Sequence, residues 1–184
     1  MTLRPLMLAA ALLGSGCAAA QGGLGPVRRI VTSEAADGRA IVLADGPGTN
    51  VIELNGSRIV RLWETNGLPV PIPVASDLGA DAGNAYRPGF TGSSVYVADL
   101  PPGSDLSDIP LHKQESMDYI VLLAGEIDLV LDGGKRVAMK PGDVLIQAGN
   151  NHSWINTGTT VARLLCVTQT GIRGRVATMP QEAR

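Results

Sequence analysis

Residues 110–169 read PLHKQESMDYIVLLAGEIDLVLDGGKRVAMKPGDVLIQAGNNHSWINTGTTVARLLCVTQ, and this stretch decides the fold. Its apolar runs are short, rich in Val, Ile and Leu, and separated by Gly, Pro and Asp. Tyr119 to Leu123 is one such run. Glu126 to Leu131 alternates, with Glu126 and Asp128 on one face and Ile127, Leu129 and Leu131 on the other. Asp132-Gly133-Gly134 then supplies residues able to take the positive φ of a hairpin turn. Arg136 to Lys140 alternates again, Pro141-Gly142-Asp143 turns, and Val144 to Ala148 is a strand. Gly149-Asn150-Asn151 turns once more, and Val161 to Thr168 is the last strand. Consecutive antiparallel strands of this length predict an all-β barrel or sandwich.

Working outward, the chain's two histidines, His112 and His152, both fall in this stretch. Side chains on a strand alternate faces, so His112, Gln114, Ser116 and Asp118 share one parity. Two imidazoles and a carboxylate suit a divalent transition metal and leave positions open for substrate or water. The candidate metal ligands are therefore His112, Asp118 and His152. Gln114 and Gln147 are further candidates, although an amide oxygen is a weaker donor; Gln147 is equally suited to hydrogen-bonding a substrate. Trp154 and Asn156 share parity with His152 and are candidate pocket-lining residues with structural roles. Tyr119 is a third, although its place after Asp118 turns it toward the other face. Glu115 has the opposite parity to His112 and is left out of the site. Gly125 and Gly142 are positions needing backbone freedom.

These residues together resemble the cupin superfamily. Its first motif is matched by His112, Gln114, Asp118 and Gly125, with Gln114 standing where cupins carry a second His. Its second motif is matched by Gly142, Gln147, Gly149, His152 and Asn156. The chain is most similar to small single-domain cupins with an Asp-Tyr pair (Asp118-Tyr119), a Gly-Glu turn (Gly125-Glu126), a Pro-Gly-Asp turn (Pro141-Gly142-Asp143) and a His-x-Trp-x-Asn segment (His152 to Asn156). Upstream, Arg28 to Thr32, Asp37 to Ala40, Asp45-Gly46-Pro47 and Leu62-Trp63 extend the likeness over most of the chain. The resemblance implies a single cupin (jelly-roll, double-stranded β-helix) barrel with additional N-terminal strands. It also implies a homodimer, because cupin-like proteins often pair through such strands.

One domain of about 160 residues follows the leader and is long enough for one core. Aromatic content of 3% leaves aliphatic side chains to fill it. With a formal net charge of −2 there is no basic surface of the kind that holds nucleic acid, which is excluded as a partner. Residues 1–20, with Arg4, the apolar Leu6 to Leu13 and Ala18-Ala19-Ala20, read as a secretory signal peptide. The expected product is an exported, periplasmic or secreted protein. Leu13 to Cys17 resembles a loose lipobox, so a lipid anchor through Cys17 is the alternative and the only route to a membrane. Cys166 reads as a buried small hydrophobe. Residues 21–104 hold N-terminal strands, Arg58 to Trp63 the clearest, and a Pro- and Gly-rich loop from Leu68 to Gly89; they complete the barrel or the dimer interface. Residues 105–170 form the cupin core and 171–184 a tail.

Two functions follow. In the first, the pocket binds Fe, Mn, Ni or Zn and oxidises, isomerises or decarboxylates a small oxygenated organic acid or aromatic metabolite. In the second, the same pocket is a non-catalytic periplasmic module for a small polar ligand. The 2-His-1-carboxylate set favours the first.

Overall fold

The computed structural model describes residues 24–80, 91–106 and 115–174. Eleven strands run through them: β1 (Arg28–Glu34), β2 (Ala40–Pro47), β3 (Asn50–Leu54), β4 (Ser57–Glu64), β5 (Ser93–Leu100), β6 (Ser116–Ala124), β7 (Ile127–Val130), β8 (Arg136–Met139), β9 (Val144–Ala148), β10 (Ser153–Ile155) and β11 (Ala162–Thr170). A six-stranded sheet has the order β3-β4-β5-β11-β6-β9, a three-stranded sheet the order β10-β7-β8, and β1 and β2 form a separate hairpin. The architecture is the all-β cupin jelly roll with added N-terminal strands.

Alternation sets the faces. On β6, Ser116, Asp118, Ile120 and Leu122 point inward and are buried, whereas Tyr119 and Leu123 point out and are exposed. Leu122, Leu164, Ala162 and Leu100 from the large sheet meet Ile127, Leu129, Met139 and Trp154 from the small one, forming the core between them. Each fully buried aliphatic side chain contributes roughly 1.5–3 kcal/mol.

The turns lie where the sequence placed them. Gly133 and Gly134 take φ of 71° and 76° between β7 and β8, around a single 3-10 turn (Asp132–Gly134). Gly125, at φ 77°, joins β6 to β7, and a Cβ there would stand 2.5 Å from the Val161 carbonyl oxygen, so a side chain is excluded on two counts.

Of the N-terminal strands, β3 and β4 extend the large sheet beside β5, Arg58 pairing with Asp99 and Val60 with Val97. Val60 and Val97 point away from the main core yet are 1% exposed. Chain N-terminal to β1 covers this outer face: Arg163 donates to the carbonyls of Leu24 and Gly25 while gripping Asp99 through two bonds of 2.6 and 2.7 Å. The loop after β4 is tied to β1, because Ser33 Oγ donates to the Val74 carbonyl and Arg29 makes a bidentate pair with Asp77. Residues 81–90 of the expected loop, the leader with Cys17, and most of the expected tail lie outside the described residues, as do His112 and Gln114.

Candidate functional site

The register of the large sheet brings polar residues from five strands onto one level of its inner face. Glu64 pairs with Ser94, Ser94 with Thr168, Thr168 with Asp118, and Asp118 with Gln147. The level nearer the core runs Arg61, Tyr96, Cys166, Ile120 and Leu145. Apart from Arg61 at its edge, this level is apolar, so the interior changes from apolar to polar within one strand period.

Asp118 is 8% exposed and Gln147 2%. Asp118 Oδ1, both amide atoms of Gln147 and the Ser116 hydroxyl are buried without a hydrogen-bond partner among the described residues. Leaving such an atom unpaired costs about 1–3 kcal/mol, more when it is charged, and native interiors seldom tolerate it without a ligand, ion or water to satisfy it. The donor set is one that a divalent metal or a polar ligand fits.

His152 enters from the facing sheet. It is 6% exposed, and its ring meets Trp154 edge-on with centroids 6.2 Å apart. Trp154 pairs with Leu129 and belongs to the core, so His152, two residues earlier, faces the same interior. Nδ1 lies 3.2 Å from the Asn150 carbonyl oxygen. A carbonyl only accepts, so Nδ1 donates that bond, and in the neutral ring this is the tautomer that a metal ligand needs.

Two of the three expected ligands, Asp118 and His152, thus face the interior, and Gln147 joins them. Among the described residues no group of three or more His, Cys, Asp or Glu comes close enough to hold a metal by itself; the third expected ligand, His112, lies outside them.

Two of the expected pocket residues are corrected. Tyr119 is 42% exposed and sits on the outer face opposite Ile146, because an odd step from Asp118 reverses the side chain. Asn156 is buried, but its amide is spent on the chain: Nδ2 donates to the carbonyls of Leu100 and Thr160, and Oδ1 accepts from the Gly158 N–H. It fastens the β10–β11 turn. Trp154 does form part of the interior wall.

Tyr96, Cys166, Thr168, Arg61 and Glu64 were missed as site residues. Burial pushes the Cys166 thiol up to about 12, a hydrogen bond from Tyr96 opposing this and the Asp118 carboxylate reinforcing it. The thiol is therefore neutral and unreactive, as a buried hydrophobe should be. The Tyr96 hydroxyl is raised well above its ordinary value by Cys166, by burial and by Asp118, and it also bonds Thr168. Nothing local marks these residues: they join the site only through pairings between strands far apart in sequence. A separate hollow of about 310 Å³ lies on the outer surface between Leu24, Arg58 and Asp99, on the far side of the sheet from Asp118.

Comparison with known proteins fits this geometry. The cupin domain family matches residues 96–168. A cupin-domain-containing oxidoreductase of Aspergillus ruber is 31% identical over 153 residues, which is 79% of this chain and 73% of that protein. A phomopsin biosynthesis cluster protein of Diaporthe leptostromiformis is 33% identical over 76% of each chain. Among solved structures, the cupin domain of Cnp3 from Schizosaccharomyces pombe aligns with a TM-score of 0.45 at 14% identity, covering 78% of this chain and 87% of that one. These relatives overturn the expectation of an exported, periplasmic protein with a lipid-anchored alternative. The two curated relatives are fungal, one of them named for a biosynthesis cluster, and fungi have no periplasm.

Proposed function

From the premise that the chain belongs to the cupin superfamily, we propose that it is a cupin enzyme that holds a divalent metal ion (Fe, Mn, Ni or Zn) and oxidises a small oxygenated organic acid or aromatic metabolite. Asp118 and His152 are its ligands, with His112 as the third and Gln147 beside them. The observation that carries the reading is the set of orphaned buried atoms on Asp118 and Gln147, on a wall of the interior that His152 also faces. The relatives named as oxidoreductases favour oxidation over isomerisation or decarboxylation.

A metal bound there would supply Lewis acidity or oxygen activation, the chemistry typical of a 2-His-1-carboxylate set. The chain's own residues do the rest. The Asn150 carbonyl and the edge of Trp154 fix the orientation of the His152 ring. Asp118 brings negative charge, Gln147 offers both a donor and an acceptor to a bound oxygen, and the apolar level below keeps bulk water from the polar one.

A non-catalytic module for a small polar ligand is the second reading, favoured by the amide of Gln114 where the cupin motif has a histidine. Elemental analysis of the untagged protein decides between them, run alongside the His112→Ala, His152→Ala double variant. Near-stoichiometric metal in the parent, lost in the variant, is expected. Absence of metal in both after reconstitution would sink the enzyme reading. A homodimer belongs to the same proposal, supported by the exposed apolar side chains on the outer face of β6 and β9.

A further inference from the structure

The hollow on the outer surface of the large sheet stands apart from the interior site. One of its walls is the chain before β1: Leu24, Gly25 and Pro26 are held against the start of β11 because Arg163 donates to the Leu24 and Gly25 carbonyls at 3.1 and 3.0 Å. Pro101, Val161 and Gly56 supply the rest, together with Arg58 and Asp99, which lie directly opposite each other on β4 and β5. Leu24, Pro26, Pro101 and Val161 make the lining mainly apolar, and the space of about 310 Å³ falls at the small end of the roughly 300–1,000 Å³ typical of small-molecule pockets. The two charged groups are not equally matched. Both Asp99 oxygens accept from Arg163, at 2.6 and 2.7 Å. The Arg58 side chain makes no hydrogen bond among the described residues: its nearest carboxylate oxygens are 4.0 Å away on Asp99 and 3.9 Å away on Glu53, itself 67% exposed. Ion pairs so long and so open to water contribute little. At 36% exposure the guanidinium therefore keeps its N–H donors available, on the wall of an apolar hollow.

We propose that this hollow is a second binding site, which takes a small monocarboxylic acid with its carboxylate on the Arg58 fork and its apolar body against Leu24, Pro26, Pro101 and Val161. A carboxylate matches the planar guanidinium through two parallel N–H bonds, which an ammonium could not offer. With Arg163 balancing Asp99, the Arg58 charge is the one left unmatched at the hollow, so a single carboxylate completes it and a doubly charged phosphate does not. Removing the apolar body from water supplies the remaining attraction. The site owes nothing to the metal reading, because Asp118 lies on the inner face of the same sheet and the hollow on the outer one.

The test is a nuclear magnetic resonance titration of the full chain with phenylacetate and hexanoate, set against their uncharged amides, phenylacetamide and hexanamide. At least one acid should shift the backbone amides of Gly25, Gly56 and Val161, which line the hollow, and should bind roughly tenfold or more tightly than its amide. Arg58→Met should abolish that preference, and Arg58→Lys should keep part of it, since a point charge attracts the carboxylate without gripping it at two places. The His112→Ala, His152→Ala double variant should bind the acid as the parent does, so the outcome here is separate from the outcome for metal. Comparison of acid with amide on the parent protein decides the matter even where a variant does not fold. Equal binding of acid and amide, no binding of either acid at millimolar concentration, shifts confined to residues of the interior, or an unchanged preference in a folded Arg58→Met protein would each overturn the proposal.

Discussion

At the scale of single residues, Gln147 is the most telling. An amide 2% exposed with neither atom bonded is a burden on a free-standing fold. Replacing it by leucine, of similar length, removes two unpaired polar atoms and should stabilise the metal-stripped protein by about 1 kcal/mol or more in urea unfolding. The same change should weaken metal or ligand binding, because the site loses a donor and an acceptor. Loss of stability on Gln147→Leu would mean that the amide has partners after all. Residue type and the family resemblance carried the candidacy of Gln147 and His152, while sequence parity carried the inward direction of Asp118. It also counted against Tyr119, which the structure places outside. It could not separate Asn156 from the wall, since which carbonyls an amide meets depends on loops that are remote in the chain.

At the scale of elements, the β1–β2 hairpin is held to the rest of the chain less by burial than by polar ties, the Arg29–Asp77 ion pair and the Ser33–Val74 hydrogen bond among them. Its alternate residues are exposed, with Ile30 at 57% and Val42 at 63%, while Arg29 and Asp77 join it to the loop after β4. The Arg29 guanidinium holds the Asp77 carboxyl below its ordinary 3.8. A depressed folded value means that the pair's stabilisation is fully present above that ordinary value and is lost as pH falls through the lower one. Asp77→Asn should therefore cost about 1–3 kcal/mol locally at pH 7, read as amide exchange in Arg28–Pro47 faster by roughly tenfold or more, with the strands of the large sheet unchanged. Uniform acceleration across the molecule would show that the hairpin is not an independent unit. The positions of β6, β7, β8, β9 and β11 were legible because the core lies on one face of each and every turn between them carries Gly, Pro or Asp; β10, three residues long, was not read as a strand. The hairpin's separation from the main sheet was not legible either, because β1 and β2 read like any other pair of alternating strands.

At the scale of the whole molecule, the outer face of the large sheet has two unlike halves. Over β4 and β5 the chain's own N-terminal segment covers it, leaving Val60 and Val97 at 1% exposure. Over β6 and β9 it is bare: Tyr119, Leu123, Val144 and Ile146 are 42%, 48%, 62% and 56% exposed, and Tyr119 and Val121 sit directly opposite Ile146 and Val144. A contiguous apolar surface of this kind marks an interface, and a second copy of the chain is the partner the homodimer proposal calls for. Light scattering should give a dimer, and Ile146→Glu together with Val144→Glu should give a folded monomer; a monomeric parent protein would end the proposal.

The sequence by itself determined the all-β class, the strands of the cupin core, their turns, and the inward parity of Asp118 beside the two histidines. All of these are local properties, set by side-chain alternation and by the backbone freedom of a few residues. Tertiary structure decided which residues share a level of the wall. Arg61, Tyr96 and Cys166 share one level, and Glu64, Thr168 and Asp118 the next, because β4, β5, β11 and β6 pair in one register and a bulge at Leu62 turns Glu64 inward with Arg61. Pairings between strands far apart in the chain are chosen by how the two sheets close on one core, and no local pattern records that choice.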